Sequence, residues 1–286
     1  MPVRSPGFGA RRRFGQNFLV NEGAIERLVA AFAPRSDDLV LEVGPGKGAL
    51  TRRLAGRVAA LAAVEIDRGL AALLRDTLVA GAPEGRLLIV EGDILEIDVG
   101  ALLATLGARE GRPARVIANL PYNIATGVIL RLLRESRLLE DLLVMVQREV
   151  AARILSPPGQ KTYGGLSVLC QAFSRAESVL RLGPGSFRPR PRVDSEAIRL
   201  TLRDPGGTAS RAPQALSDLL RVAFEQRRKT LLNNLIRLPA PGGSLGASGA
   251  AALIRRARLD PGSRPEAVPV EGFLALLDAW RSAEGI

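Results

Sequence analysis

An amide, a proline and a tyrosine stand in fixed order at Asn119, Pro121 and Tyr122, in a segment NLPYNIAT that follows the apolar run Val116-Ile117-Ala118. Proline has no N–H and pushes the residue before it into an extended conformation, so the Leu120 carbonyl turns outward beside the Asn119 amide oxygen. Two adjacent oxygen acceptors match an exocyclic NH2 group: they hold its hydrogens while its lone pair turns toward an electrophile. Tyr122 adds a flat face for a base. Such stacking is worth about 1–3 kcal/mol, comparable with the few kcal/mol needed to draw a base out of its stack. The chemistry implied is substitution at the amino group of a nucleic-acid base. A helix start capped by Asn123 or Thr126 competes for the same residues, but it leaves the tyrosine beside two acceptors unexplained.

A second group of residues suits a nucleoside-bearing cofactor. LEVGPGKGA (41–49) follows an apolar run and opens a helical pattern; Gly44 permits a tight turn and Gly46 a close approach of backbone to ligand. Glu65 lies about 20 positions further on, where an acidic residue receives ribose hydroxyls. A nicotinamide cofactor and S-adenosylmethionine share this adenosine-binding logic, and the glycine loop does not separate them. Two residues favour the methyl donor. Glu42 would repel a pyrophosphate yet help hold a cationic amino-acid moiety, and Asp93 in EGDI can accept from an adenine amine. Asp93 also fits a plain turn residue after Gly92.

These residues need a sheet that delivers them to one edge. Apolar runs at 39–43, 61–66, 87–90, 116–118 and 142–147 alternate with helical periods at 24–32, 48–54 and 68–78, and two further strands are read at 178–182 and 197–202. That alternation predicts an α/β fold with a doubly wound, mostly parallel sheet covered on both faces. Gly44, Glu65, Asp93 and Asn119 would then converge on the crevice at the strands' carboxyl ends. DPGGTASRAP (204–213) lacks periodicity and marks a linker, giving a first domain over 1–205 and a smaller helical domain over 206–286, with helical spacing at 214–236, 250–258 and 270–280.

The formal net charge of +11 favours a polyanionic partner, although arginine-rich composition alone gives part of it, lysine occurring only at Lys47, Lys161 and Lys229. Arg11, Arg12 and Arg13, the series Arg188, Arg190 and Arg192, the run Arg227, Arg228 and Lys229, and the basic residues of 255–258 would neutralise phosphates if they share a face. For QRRK a solvated helix face is the competing reading. The chain contains no histidine and a single cysteine, Cys170, which excludes His-dependent triads and the usual zinc sites. No metal is expected. No apolar run reaches the ~18 residues that cross a bilayer, so no membrane contact is expected; the single cysteine fits a reducing cytoplasm, and a monomer is expected.

At these residues the sequence resembles the small-subunit ribosomal RNA adenine dimethyltransferases. RRRFGQNFLVNE, EVGPGKGALT, AVEID, EGDIL, NLPYNIAT, VQREVAARI, YGGLSV, FRPRPRVDS, FEQRRKTLLNNL and DPGSRPEAVPVEGFL are similar to that family's blocks, in the family's order. The resemblance implies a Rossmann-like methyltransferase sheet and S-adenosylmethionine contacts at Asn17, Leu19, Gly44, Glu65, Asp93 and Asn119. It implies that Asn119, Leu120, Pro121 and Tyr122 hold the target adenine, with Phe187 stacking from the other side. It also implies N6,N6-dimethylation of two adjacent adenines in small-subunit ribosomal RNA, with the immature small subunit as partner and the second domain as RNA contact. Three other readings compete: a large-subunit adenine methylase of the antibiotic-resistance type, a non-catalytic assembly factor, and an NAD-dependent oxidoreductase. FEQRRKTLLNNL argues against the first and the intact cleft against the second. The third lacks a hydride-site acid or base, commonly histidine.

Overall fold

The computed structural model describes residues 16–79, 85–204, 206–240 and 243–284. Arg11, Arg12 and Arg13 lie outside these residues. Two compact units form, Met1–Ala151 with Glu177–Thr201, and Ala152–Ala176 with Leu202–Ile286.

The first unit runs through β1 (Phe18–Leu19), α1 (Glu22–Phe32), β2 (Leu39–Val43), α2 (Thr51–Leu54), β3 (Ala60–Glu65), α3 (Arg68–Leu78), β4 (Leu87–Glu91), α4 (Val99–Thr105), β5 (Ala114–Asn119), α5 (Ala125–Leu133), β6 (Leu139–Gln147) and the start of α6 (Arg148–Ile154). It resumes in β7 (Ser174–Leu182), β8 (Phe187–Arg188) and β9 (Ser195–Leu202). Seven strands make one sheet in the order β4-β3-β2-β5-β6-β9-β7. β2 pairs in parallel with β3 and β5, β3 with β4, and β5 with β6, while β9 runs antiparallel to β6. Every residue of β2 is buried, as an apolar strand covered on both faces requires.

The amino end of β5 is fixed by a buried cation. Arg115, 4% exposed, pairs with Asp141 (2.7 Å) and Asp38 (2.8 Å), and donates to the carbonyls of Phe32 (2.7 Å) and Ala33 (3.2 Å). Those carbonyls close α1, where a positive charge complements the helix dipole. Burial alone would lower the guanidinium's pKa and raise that of Asp38. Hydrogen bonds outweigh burial: those to Asp141 and Asp38 hold Arg115 above its ordinary value, and those from the Arg35 N–H, Arg115 and the Arg35 side chain hold Asp38 below its own. At its other end β5 delivers Asn119, so one strand is anchored at one end and functional at the other.

The second unit is helical: the end of α6, α7 (Gly165–Phe173), α8 (Gly207–Arg211), α9 (Pro213–Ala223), α10 (Leu231–Leu235), α11 (Gly246–Arg256) and α12 (Val270–Glu284), with a short hairpin of β10 (Pro239–Ala240) and β11 (Gly243–Ser244). Sequence pattern predicts one break after residue 205; instead 152–176 joins this unit. The reason is burial: Tyr163 is fully enclosed, its hydroxyl donates to the Val268 carbonyl (3.0 Å), and its ring meets Phe224 edge-on. Cys170 is also wholly buried there, which pushes its thiol up to about 12.

The helix expected over 214–236 breaks into α9 and α10. Buried Asn234 accepts from the Gln226 N–H (3.1 Å) and donates to the carbonyls of Gln226 and Thr230 (3.2 Å each). These bonds satisfy backbone groups that a continuous helix would have used internally, so the basic run between the helices becomes a clamped turn.

Candidate active site

Strand order reverses between β2 and β5, and the crevice beyond their carboxyl ends is where a doubly wound sheet holds ligands. Gly44 follows β2 with φ +69°, and a Cβ there would stand 3.8 Å from the Asn119 carbonyl oxygen. A cavity opens at this point, lined by Asn17, Gly44, Glu65, Asp93, Asn119, Leu120 and Pro121.

Glu65 organises the glycine loop. Its carboxylate, 2% exposed, accepts the Gly46 N–H (2.9 Å) and the Asp67 N–H (2.9 Å), tying the end of β3 to the loop after β2. Burial raises its pKa, and the two N–H donors offset part of that rise. Asp67 then caps α3, accepting from Gly69 (2.8 Å). Asp93 uses one oxygen to accept the Leu95 N–H (2.9 Å), and its carboxylate remains on the cavity wall.

A wall of the cavity comes from the segment that holds Asn17 and Leu19, both expected as cofactor contacts. β1 pairs with β8, Phe18 opposite Arg188 and Leu19 opposite Phe187. The Phe18 ring fills the space that a side chain on Gly46 would need, an added Cβ lying 2.9 Å from the ring, and Lys47 reaches over its face at 5.3 Å. Asn17 turns its carbonyl toward the Asn119 amide nitrogen, which donates at 3.0 Å. That bond fixes the amide orientation and leaves Oδ1 as its acceptor for a ligand. Among the described residues no hydrogen bond reaches the Leu120 carbonyl, while its N–H donates to Met145 (3.3 Å). The capping reading of NLPYN finds no support: α5 begins after Ile124 without a side-chain cap.

Three expected residues sit differently. Leu19, buried in the core, lines a neighbouring cavity with Glu42, Gly44, Lys47 and Asn119. Tyr122 stands outside the lining, half-buried, and its hydroxyl shares a 2.6 Å hydrogen bond with Ser195 Oγ. Phe187, expected as a stacking face, is fully buried in the core with Leu19 and Leu182, because its pairing with β1 turns it inward. Sequence reasoning also missed Gln16, Phe18, Ile66 and Ile94. Ile66 carried a readable signal: an isoleucine directly after the strand-end acid, left 40% exposed, offers an apolar face to a flat ligand.

Glu42 is buried, and its Oε2 has no hydrogen-bond partner. Burial, with the nearby Glu65 charge, pushes its carboxyl up to about 8, and Thr51 only partly offsets this. Arg188, Arg190 and Arg192 are exposed in the first unit, and Arg227, Arg228 and Lys229 in the second. Arg227 also donates to the carbonyls of Lys161 (2.7 Å) and Tyr163 (3.1 Å). Among the described residues, no cluster of acidic or thiol groups could hold a metal, and no helix is long and apolar enough to cross a membrane.

A family model described as ribosomal RNA adenine dimethylase matches residues 7–252. The chain is 42% identical over 276 residues to the Ribosomal RNA small subunit methyltransferase A of Chromohalobacter salexigens, covering 96% of this chain and 93% of that protein. It is 40% identical over 270 residues to the protein of the same name from Acidithiobacillus ferrooxidans, covering 94% of each. Among solved structures it shares the fold of a dimethyladenosine transferase from Plasmodium falciparum, with a TM-score of 0.71, 23% identity, and coverage of 94% of this chain and 98% of that one. The 23S rRNA methyltransferase ErmE is similar at a TM-score of 0.61 and 26% identity, over 93% of this chain and 100% of that one.

Proposed function

The chain belongs to the ribosomal RNA adenine dimethylase family, and from that premise we propose that it dimethylates the N6 amino groups of two adjacent adenines in small-subunit ribosomal RNA. Its substrate is an immature small subunit in the cytoplasm, and it acts as a monomer. The observation that carries this reading is the bond from the Asn119 amide to the Asn17 carbonyl. It turns the amide oxygen into an oriented acceptor at the edge of a cavity walled by Glu65 and Asp93, with Leu120 also in the lining.

The residues present fit S-adenosylmethionine. Glu65 and Asp93 provide acceptors for ribose hydroxyls and an adenine amine, and Ile66 and Ile94 provide apolar faces; Glu42, whose Oε2 is unpartnered, lines the neighbouring cavity and suits a cationic amino-acid end when ionised. When bound, S-adenosylmethionine supplies an electrophilic methyl group on a sulfonium. Asn119 and Leu120 hold the target amine by its hydrogens, which favours a more pyramidal nitrogen with an available lone pair. Tyr122 braces the base, and Pro121 keeps the two acceptors apart from competing N–H donors. The nitrogen becomes strongly acidic once alkylated, so no strong base is required.

The likeness to ErmE favours one second reading, action on large-subunit RNA. Whole-length identity near 40% to proteins named for the small subunit supports the first. The deciding experiment offers labelled S-adenosylmethionine with under-methylated small-subunit particles, large-subunit particles and naked RNA, and identifies the modified base. Dimethyladenine in small-subunit RNA is expected. Label confined to large-subunit RNA would replace the reading, and no transfer at all would leave an assembly factor.

A further inference from the structure

The hydroxyls of Tyr122 and Ser195 meet at 2.6 Å across 73 residues of chain, within the normal range for an O–H···O bond. Ser195 is fully buried and opens β9, opposite Gln147 in the β6 ladder. The preceding carbonyl, of Asp194, accepts the Arg148 N–H at 3.0 Å. The serine hydroxyl is therefore mounted at the start of an interior strand. Tyr122, by contrast, is half-buried in the turn between β5 and α5, where no side chain caps the helix. A tyrosine held only at its Cα swings about χ1 and χ2. One held also at its hydroxyl keeps the plane of its ring. Burial raises the phenol's pKa more than Ser195 lowers it, so the ring stays neutral and the hydroxyl bond persists through the working pH range.

We propose that Ser195 is a positioning residue: acting through the Tyr122 hydroxyl, it sets the plane of the ring on which the target base rests, and thereby the rate of methyl transfer. The inference rests on the reading that Tyr122 faces the base. Ser195 also ends the segment that exposes Arg188, Arg190 and Arg192, so the loop that meets phosphate and the ring that meets the base share one anchor. The effect is graded between the two transfers. An unmodified amine offers one hydrogen to each of Asn119 and Leu120, whereas a monomethylated amine has a single hydrogen left and can occupy only one acceptor. The second transfer depends more on the ring, so loosening the ring leaves monomethyladenine behind.

The test compares Ser195→Ala, Tyr122→Phe, the double variant and Tyr122→Ala on under-methylated small-subunit particles. Tyr122→Phe removes the same bond from a half-exposed position, so the comparison survives even if Ser195→Ala folds poorly. Each single variant is expected to lower kcat by about 10- to 100-fold, with KM for particle and cofactor within about twofold, since misplacement acts on geometry rather than affinity. The double variant should be no slower than the slower single one, and the share of monomethyladenine should rise in all three. Multiplying effects, a change confined to KM, or wild-type kcat in both single variants would overturn the positioning role. If Tyr122→Ala alone is severely impaired while those two are normal, the base-holding reading survives and only Ser195 loses its part. If Tyr122→Ala is itself normal, both fall.

Discussion

The side-chain amide of Asn119 donates to the main-chain carbonyl of Asn17, 3.0 Å away and 102 residues earlier in the sequence. It joins the end of a central strand to the segment that walls the cavity, and it decides which end of the amide a substrate meets. Asn119→Asp replaces the donor with an oxygen facing the Asn17 carbonyl and adds a charge beside Glu65. Losing the bond costs about 0.5–1.5 kcal/mol. Methyl incorporation should fall by at least about 10²-fold, the loss expected when an oriented group at the reacting atom is removed. Cofactor affinity, read by calorimetry, should weaken as well. Wild-type turnover in this variant would remove Asn119 from the site.

Glu42 makes the protein's behaviour depend on pH in a definite direction. Its folded pKa is raised, to about 8, so between the unfolded value and 8 the folded state holds a proton that the unfolded state has released. Its contribution to stability is full below the unfolded value near 4.3, declines as pH rises toward 8, and is level above that, with a slope of up to about 1.4 kcal/mol per pH unit. Glu42→Gln should flatten this decline in urea titrations. The same variant should weaken cofactor binding most at pH 8 and above, where the native carboxylate is ionised and can pair with a cation. An unchanged pH profile would mean that Glu42 is ionised throughout.

Arg115 holds the opposite end of the Asn119 strand. Arg115→Met leaves Asp141 buried without its closest partner and Asp38 with Arg35, and breaking a buried pair from one side costs about 3–5 kcal/mol. Denaturant midpoints should drop accordingly, while kcat per folded molecule at low temperature should change little. Acid acts on the same network: the depressed Asp38 carboxyl contributes stability that is full above its unfolded value near 3.9 and is lost as pH falls through its lower folded value. A variant as stable as the native chain would show the network to be dispensable.

The turn held by Asn234 presents Arg228 and Lys229 to solvent, whereas Arg227 also ties down the carbonyls of Lys161 and Tyr163. Arg228→Ala and Lys229→Ala should each reduce the salt dependence of RNA binding by about 0.7–0.9 in the slope of log K against log salt. Arg227→Ala should lower thermal stability too. Asn234→Leu should free the turn and weaken RNA binding without removing a charge. Filter binding across a salt series would separate these outcomes, and slopes equal to the native one would place the phosphate contacts elsewhere.

Much of the fold was legible because strand burial and glycine turns are local signals. The runs 39–43, 87–90, 116–118 and 142–147 each fall on a strand and 61–66 overruns Ala60–Glu65 by one residue, while Gly44, Glu65, Asp93 and Asn119 fall at strand ends because parallel strands deliver their carboxyl ends to one edge. Strand lengths were read short, as at 116–118 within Ala114–Asn119, because Arg115 and Asn119 break the apolar run. The helix over 214–236 was read through its interruption, since its period continues while Asn234 takes up the backbone groups.

By itself the sequence determined which residue types stand at the mouth of the sheet, and hence an amino-directed chemistry with a nucleoside-bearing donor, because residue order and strand parity are properties of the chain. Only the tertiary structure decided that Asn17 orients Asn119, that Phe18 fills the space over Gly46, that Phe187 is buried with Leu19, and that Ser195 holds Tyr122. Each of those is a contact between residues far apart in the chain. Local propensity carries no information about them, since they arise only when packing brings distant segments within a few ångströms.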